Sequence, residues 1–471
     1  MAQTFFFYDL ETSGLNPRQD RIMQFAGQRT DMSLKPIGEP YNLLVTLNDD
    51  TLPSPDALMV TGITPQKTVE EGYSEAQFAR MLSEEIFTSE TIAVGFNNIR
   101  FDDEFIRHLL WRNFHDPYEW SWKDGRSRWD LLDVVRLTRA LRPEGINWPL
   151  DAKGEPSNRL ELITDANGIA HENAHDALAD VTALIAVTKL IKQKQPQLYD
   201  YLLKMRDKKV VQQLVNVDDK KPFVYASGRY DKEFAKTTVA FPLTTSRNGG
   251  VVVYDLRYDP TPFVELDTNE LAAKIFASWE ERQAENFVKL PVKELQYNRC
   301  PAVAPLGVLE QGDGWQKISL DAETIQKHQN ILLKHPDFVE KLRSIFENKP
   351  AFKKLPDPEA QLYDGFLNDR DRLRVEAVRN ADERELADFH PDFQDERLAP
   401  LLLHYKARNF PRSLSEDDLV QWEAWRSQHL QAQLPGFMAS LQRLASTATD
   451  EQQFILQELQ LWAEAVLPGS D

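Results

Sequence analysis

The sequence predicts an α/β region first, then a small β-rich region, then an almost wholly helical one. Three observations carry that reading. Residues 4–47 hold three β-like runs joined by short turns, and helices alternate with strands from there to residue 194, which implies a mixed sheet flanked by helices. After Pro196 the β-like runs become short and sit between turn residues. From Ala360 onward helical periodicity dominates.

The first strand, residues 4–10, is the apolar run Phe5-Phe6-Phe7-Tyr8, which stops in Asp9-Leu10-Glu11 and then the turn Thr12-Ser13-Gly14. Further strands are expected at 23–30, 41–47 and 92–96. Helices are expected over 75–87, with Phe78, Met81, Leu82 and Phe87 near helical spacing, over 102–114 and over 131–141. Residues 173–194 give the clearest helix, with Leu178, Val181, Leu184, Ile185 and Ile191 on its inner face. Lys189, Lys192 and Lys194 sit at its dipole-favoured end, before Pro196. Beyond it, strands are expected at 223–227, 237–241 and 251–256, a helix at 268–284, and Pro-bounded helical segments near 411 and 435.

Composition narrows the classes. No apolar stretch approaches the roughly 20 residues that span a bilayer. With one cysteine, Cys300, no intrachain disulfide can form, and a cytoplasmic protein is expected. The net charge of −19 disfavours a nucleic-acid partner at first sight. The charge is uneven, however: residues 187–236 carry twelve Lys/Arg against six Asp/Glu, while residues 357–471 carry eleven against twenty-two. An anionic partner is therefore permitted.

Side chains two apart on a strand share a face, so Asp9 and Glu11 point the same way. Two acids so placed repel unless a cation lies between them, and hard oxygen donors suit Mg²⁺, with Mn²⁺ able to substitute. Asp102 follows a strand at a helix start, and Asp180 lies in Asn173-Ala174-His175-Asp176-Ala177-Leu178-Ala179-Asp180. On an ideal helix His175 and Asp180 are roughly 140° apart, so His175 must project from the helix start toward whatever Asp180 holds. Any one of these features alone reads as a cap or a solvated acid. As a set, Asp9, Glu11, Asp102 and Asp180 could hold two divalent ions about 4 Å apart, the clamp used for in-line phosphoryl displacement, with His175 as general base.

Residues 98–148 contain five of the ten tryptophans, with arginines including Arg107 and Arg136 interleaved. That is the composition of a stacking surface for single strands. Tyr118 and Trp122 are the expected platforms, and Arg159 a phosphate clamp or a surface partner of Glu161.

Asp9-Leu10-Glu11-Thr12, Asn97-Asn98-Ile99-Arg100-Phe101-Asp102 and His175-x-x-x-x-Asp180 resemble the three motifs of the DEDDh (DnaQ-like) 3′→5′ exonucleases. Gly62-Ile63-Thr64-Pro65, Asp116-Pro117-Tyr118, Ser127-Arg128-Trp129-Asp130-Leu131-Leu132-Asp133, Ala360-Gln361-Leu362-Tyr363 and Tyr405-Lys406-Ala407-Arg408-Asn409-Phe410-Pro411 are similar to stretches of the bacterial exonuclease I family. The resemblance implies an RNase H-like exonuclease domain (1–195), an SH3-like domain (196–350) and a C-terminal helical domain (351–471). It implies Asp9, Glu11, Asp102 and Asp180 as ligands of two Mg²⁺ ions, His175 as the base and Arg159 against substrate. It further implies processive 3′→5′ degradation of single-stranded DNA to 5′-mononucleotides in DNA repair, and binding of the acidic tail of single-stranded DNA-binding protein. A monomer is expected. Leu10 and Ser13 stand where the family's first motif has Tyr and Phe, so contacts to the terminal base should differ.

Two rival readings remain. An exoribonuclease of the same superfamily shares the chemistry but would be a shorter, one-domain chain. A non-catalytic single-strand-binding adaptor predicts a gap in the acid set, and the sequence has none.

Overall fold

The computed structural model describes residues 2–171, 176–349 and 354–467. They form two compact units, Met1–Arg128 with His171–Ile185 and Lys353–Asp471, and Trp129–Ala170 with Ala186–Phe352. No helix among the described residues is long and apolar enough to cross a membrane.

In the first unit β1 (Thr4–Thr12) lies between β2 (Ile22–Thr30) and β4 (Thr91–Gly95), antiparallel to the first and parallel to the second. With β3 (Tyr41–Leu44) and β5 (Ser127–Asp130) the sheet order is β3-β2-β1-β4-β5. A central strand covered on both faces must be apolar throughout, which is why Phe5, Phe6, Phe7 and Tyr8 are consecutive and fully buried. Phe6, Tyr8 and Phe25 pack there with Phe78, Phe87 and Phe105 from the covering helices. A bulge between Glu11 and Thr12 shifts the register just where the acids emerge, before the last pair, Thr12 with Ile22.

The expected helix 75–87 begins as drawn, with a Ser74/Gln77 capping box over Glu75–Met81, but closes in a wider π-type turn over Leu82–Ile86. The strand expected over 41–47 ends at Leu44: the Val45 amide still donates to the Met23 carbonyl of β2 at 2.9 Å, but Val45 bridges Tyr73 and the ladder goes no further. β5 was not expected: Ser-Arg-Trp-Asp has neither the length nor the alternation of a strand signal. The expected helix boundary at Pro435 is absent, since one helix runs Glu416–Ala445 through it. A proline inside a helix costs about 3 kcal/mol. Here Leu430, Phe437 and Leu441 on either side of it are buried with Leu456, Leu459 and Trp462 of the helix Asp450–Val466, and that packing offsets the lost hydrogen bond.

In the second unit β6 (Phe223–Ala226), β7 (Thr237–Thr245), β8 (Val251–Asp255), β9 (Val292–Leu295) and β10 (Ala302–Pro305) form an antiparallel sheet in the order β10-β6-β7-β8-β9. The last two strands were not anticipated. The helix expected over 268–284 is two, Thr268–Phe276 and Trp279–Arg282, because Ser278 and Glu281 make a capping box that starts the second. Cys300 is a buried free thiol.

Candidate metal centre

The site is built on a turn whose sequence is dictated by packing. At the end of β4 a Cβ on Gly95 would lie 2.5 Å from the Cβ of Asn98, so only glycine admits that approach. Asn97 takes the left-handed conformation (φ 69°), which asparagine tolerates better than most residues. Asn98 is thereby turned inward, where its amide donates to the Tyr8 hydroxyl at 3.2 Å and to Asp103 Oδ1 at 3.2 Å. Tyr8 also donates to Asp103, and Arg128 is paired with the other Asp103 oxygen. Asp103, fully buried, thus ties the start of the helix Asp102–Arg112 to the strand that carries Asp9, and leaves its neighbour Asp102 beside the acids of β1.

Asp9, Glu11 and Asp180 each offer a carboxylate oxygen, and these lie within 4.8 Å of one another. Asp180 arrives on the helix Ala177–Lys194, whose first turn is capped by Asp176 through the Leu178 and Ala179 amides at 3.1 Å. His171 Nε2 is 2.6 Å from Asp180 Oδ1. His175 lies outside the described residues.

The electrostatics are those of acids crowded together. Burial, then Asp102, Glu11 and Asp180, push the Asp9 carboxyl well above its ordinary range. Burial, then Asp180, Asp102 and Asp176, push Glu11 up to about 8. Acids held so close are stable together only if protons or a cation neutralise them, and a hard all-oxygen donor set fits a divalent ion. The donor set therefore fits the group expected from the sequence.

A prediction follows for the metal-free protein. The folded Glu11 pKa of about 8 exceeds its ordinary 4.5, so between those values the native state holds a proton that the unfolded state has released. Stability from this group is therefore lost as pH rises through that window. His108 and His115, buried and lowered to about 3, act with the opposite sign below their ordinary 6.5. Comparison with Glu11→Gln isolates the site. In chelator, Glu11→Gln should melt several degrees above the parent at pH 8, with the gap closing by pH 5, as thermal denaturation would record. A gap independent of pH would refute this account.

The expected strand-contact residues are placed as follows. Trp122 is 64% exposed. Tyr118 is half-buried, 6.4 Å from Tyr363 and 5.8 Å from Phe366 by ring centroids. Arg107 is paired with Glu104 at 2.8 Å and lies over the Tyr118 ring. In the other unit Arg136 is paired with Asp133 at 2.5 Å, and Arg159 with Glu161 on an exposed edge. Sequence reasoning missed Asp103, His171 and the aromatic extension to Tyr363 and Phe366. Phe366 in Asp364-Gly365-Phe366 is 81% exposed, and an aromatic beside a glycine in an otherwise polar turn was the available signal.

The chain matches three family models in succession: Exonuclease over residues 6–188, Exonuclease I SH3-like domain over 206–348, and Exonuclease I C-terminal domain over 356–466. It is 40% identical to exodeoxyribonuclease I of Haemophilus influenzae over 450 residues, 95% of each chain. Its fold is similar to the crystal structure of Escherichia coli exonuclease I in complex with a dA16 oligonucleotide, at TM-score 0.94 and 38% identity, covering 99% of this chain and 100% of that one. The same measures hold for the zinc-ion-bound form of the E. coli exonuclease I complex with single-stranded DNA. A mixed-sheet nuclease fold, an SH3-like region and a helical C-terminal region follow one another here as in those proteins. With its acid cluster at the mouth of the central strand and homology running nearly end to end, the chain belongs to the exodeoxyribonuclease I family.

Proposed function

We propose that this exodeoxyribonuclease degrades single-stranded DNA processively from the 3′ end to 5′-mononucleotides, in DNA repair and recombination, by hydrolysis at two Mg²⁺ ions. The observation that carries the reading is the convergence of Asp9, Glu11 and Asp180 within 4.8 Å, with Asp102 acting on the same group. Asp9, Glu11, Asp102 and Asp180 would hold the ions, which when bound neutralise the charge of an in-line displacement and acidify a water. His175 would accept a proton from the attacking water as general base. Tyr8, Asn98 and Arg128 hold Asp103, and through it the helix bearing Asp102.

Trp122 and Arg159, both exposed, would contact the strand. Arg107 and Arg136 would exchange Glu104 and Asp133 for phosphates, and Tyr118 would stack a base as part of an aromatic set with Tyr363 and Phe366. Three domains, 1–195, 196–350 and 351–471, are supported by the spans of the three matched models. The surplus of basic residues over 187–236 suits an anionic partner such as the acidic tail of single-stranded DNA-binding protein. A cytoplasmic monomer completes the reading.

The test is digestion of 3′-blocked and 5′-blocked single strands, with matched RNA, with and without Mg²⁺. The 5′-blocked DNA should yield 5′-mononucleotides only with the ion, while the 3′-blocked DNA and the RNA should persist. Equal loss of RNA would favour the exoribonuclease reading, and strand binding without cleavage the adaptor.

A further inference from the structure

We infer that Glu359, from the C-terminal region, is a positioning residue for the acid cluster, clamping the two elements that deliver Glu11 and Asp102 to it; the inference rests on the metal reading above.

One element is the turn after β1. Just past Glu11, the Ser13 amide donates to the Arg21 carbonyl at 2.8 Å and the Arg21 amide donates to Ser13 Oγ at 2.8 Å. Ser13 is fully buried, so Arg21 closes the loop that follows the bulge. The Arg21 side chain does not face solvent. Its Nη2 lies 2.9 Å from Glu359 Oε2 and 3.7 Å from Asp50 Oδ2.

Arg408 completes the group, 2.7 Å from Asp50 and 2.5 Å from Glu359, and His404 Nδ1 lies 2.8 Å from Glu359 Oε1. Two arginines and two carboxylates, none of their side chains more than 3% exposed, form a neutral buried square.

The second element is the helix Asp102–Arg112. His108 Nδ1 is 3.2 Å from the Glu359 carbonyl oxygen, and Trp111 Nε1 donates to the Pro358 carbonyl at 3.0 Å. The backbone of residues 358–359 therefore braces the helix whose first residue is Asp102, while the Glu359 carboxylate holds the corner that follows Glu11. One residue sets the separation of two ligand-bearing elements. Buried ion pairs are poor sources of stability but good at holding a single geometry, because a shifted partner leaves a charge unpaired. Displacing an outer support of a metal ligand typically weakens metal binding ten- to a hundred-fold.

The same atoms argue against a second reading. Asp357, Glu359 and His404 also come within 4.8 Å of one another, the spacing of a cation site. Two arginines already occupy the Glu359 carboxylate, so an added cation there would meet like charge.

The experiment is Mn²⁺ titration of the folded, full-length protein without DNA, for the parent, Glu359→Gln and Leu456→Ala. Leu456→Ala removes apolar packing from a core cluster that contains none of the four acids, and serves as the control for lost stability. Glu359→Gln should raise the Mn²⁺ half-saturation about ten- to a hundred-fold, whereas Leu456→Ala should leave it at the parent value. Equal half-saturation in all three overturns the inference. Should Glu359→Gln fail to fold, Arg21→Lys, which keeps the charge and shortens the reach, decides by the same measure. A parent that binds no Mn²⁺ would instead overturn the metal reading itself.

Discussion

Asp9→Ala should abolish cleavage, by about 10³-fold or more, while the metal-free protein becomes more stable. The two halves have one cause. Asp9 is buried among Glu11, Asp102 and Asp180, and its carboxyl is held far above its ordinary range by burial and by those three acids. In the metal-free state it is thus a liability, and removing it relieves repulsion on every neighbour. In the loaded state it would be the central ligand, since Asp102, Glu11 and Asp180 all act on it. Asp9→Asn, which keeps the shape, should behave alike. Both variants should lose the rise in melting temperature that Mg²⁺ should give the parent, because a ligand that binds only the native state stabilises it by mass action. Binding of a single strand in chelator should survive. Undiminished cleavage, or a variant less stable than the parent in chelator, would remove Asp9 from the proposed role.

What was legible in the sequence, and what was not, divides along a physical line. β1 could be read because a central strand buried on both faces needs an unbroken apolar run, and Phe5 to Tyr8 supply one. Asp9 and Glu11 could be paired because strand geometry puts alternate residues on one face. β5 could not be read, since Arg128 is buried there paired with Asp103, twenty-five residues earlier. No local pattern announces a partner at that distance. The break after Phe276 was legible in principle, as Ser278-Trp279-Glu280-Glu281 is a capping-box signature, and the apolar spacing on either side outweighed it. Pro435 misled for the converse reason: the rule that proline ends a helix is local, and the helix Glu416–Ala445 persists through tertiary packing. Glu359 was invisible as a support of the acid cluster, because its partners Arg21 and Arg408, and the Asp50 carboxylate they share with it, are scattered through the chain.

His175→Ala and His171→Asn should both damage the enzyme, in ways that tell the two histidines apart. His175 has the motif position of a general base, and loss of such a base typically costs about 10²–10⁴ in rate. That cost should fall on kcat and persist at saturating Mg²⁺, with Mn²⁺ affinity unchanged, because a base is no ligand. His171 is different: it meets Asp180 Oδ1 at 2.6 Å, so under the proposed metal reading it would orient a ligand oxygen. Its removal should weaken Mn²⁺ binding about ten- to a hundred-fold, as for other supports of metal ligands, and excess ion should restore most of the rate. The pH profile separates them again. A general base leaves an acidic limb in the dependence of kcat/KM on pH, and His175→Ala should flatten that limb while His171→Asn keeps it. A loss below tenfold in His175→Ala would refute the base assignment. A rate restored by added ion in His175→Ala but not in His171→Asn would exchange the two roles, leaving Asp180 as the base's partner and His171 as the group that takes the proton.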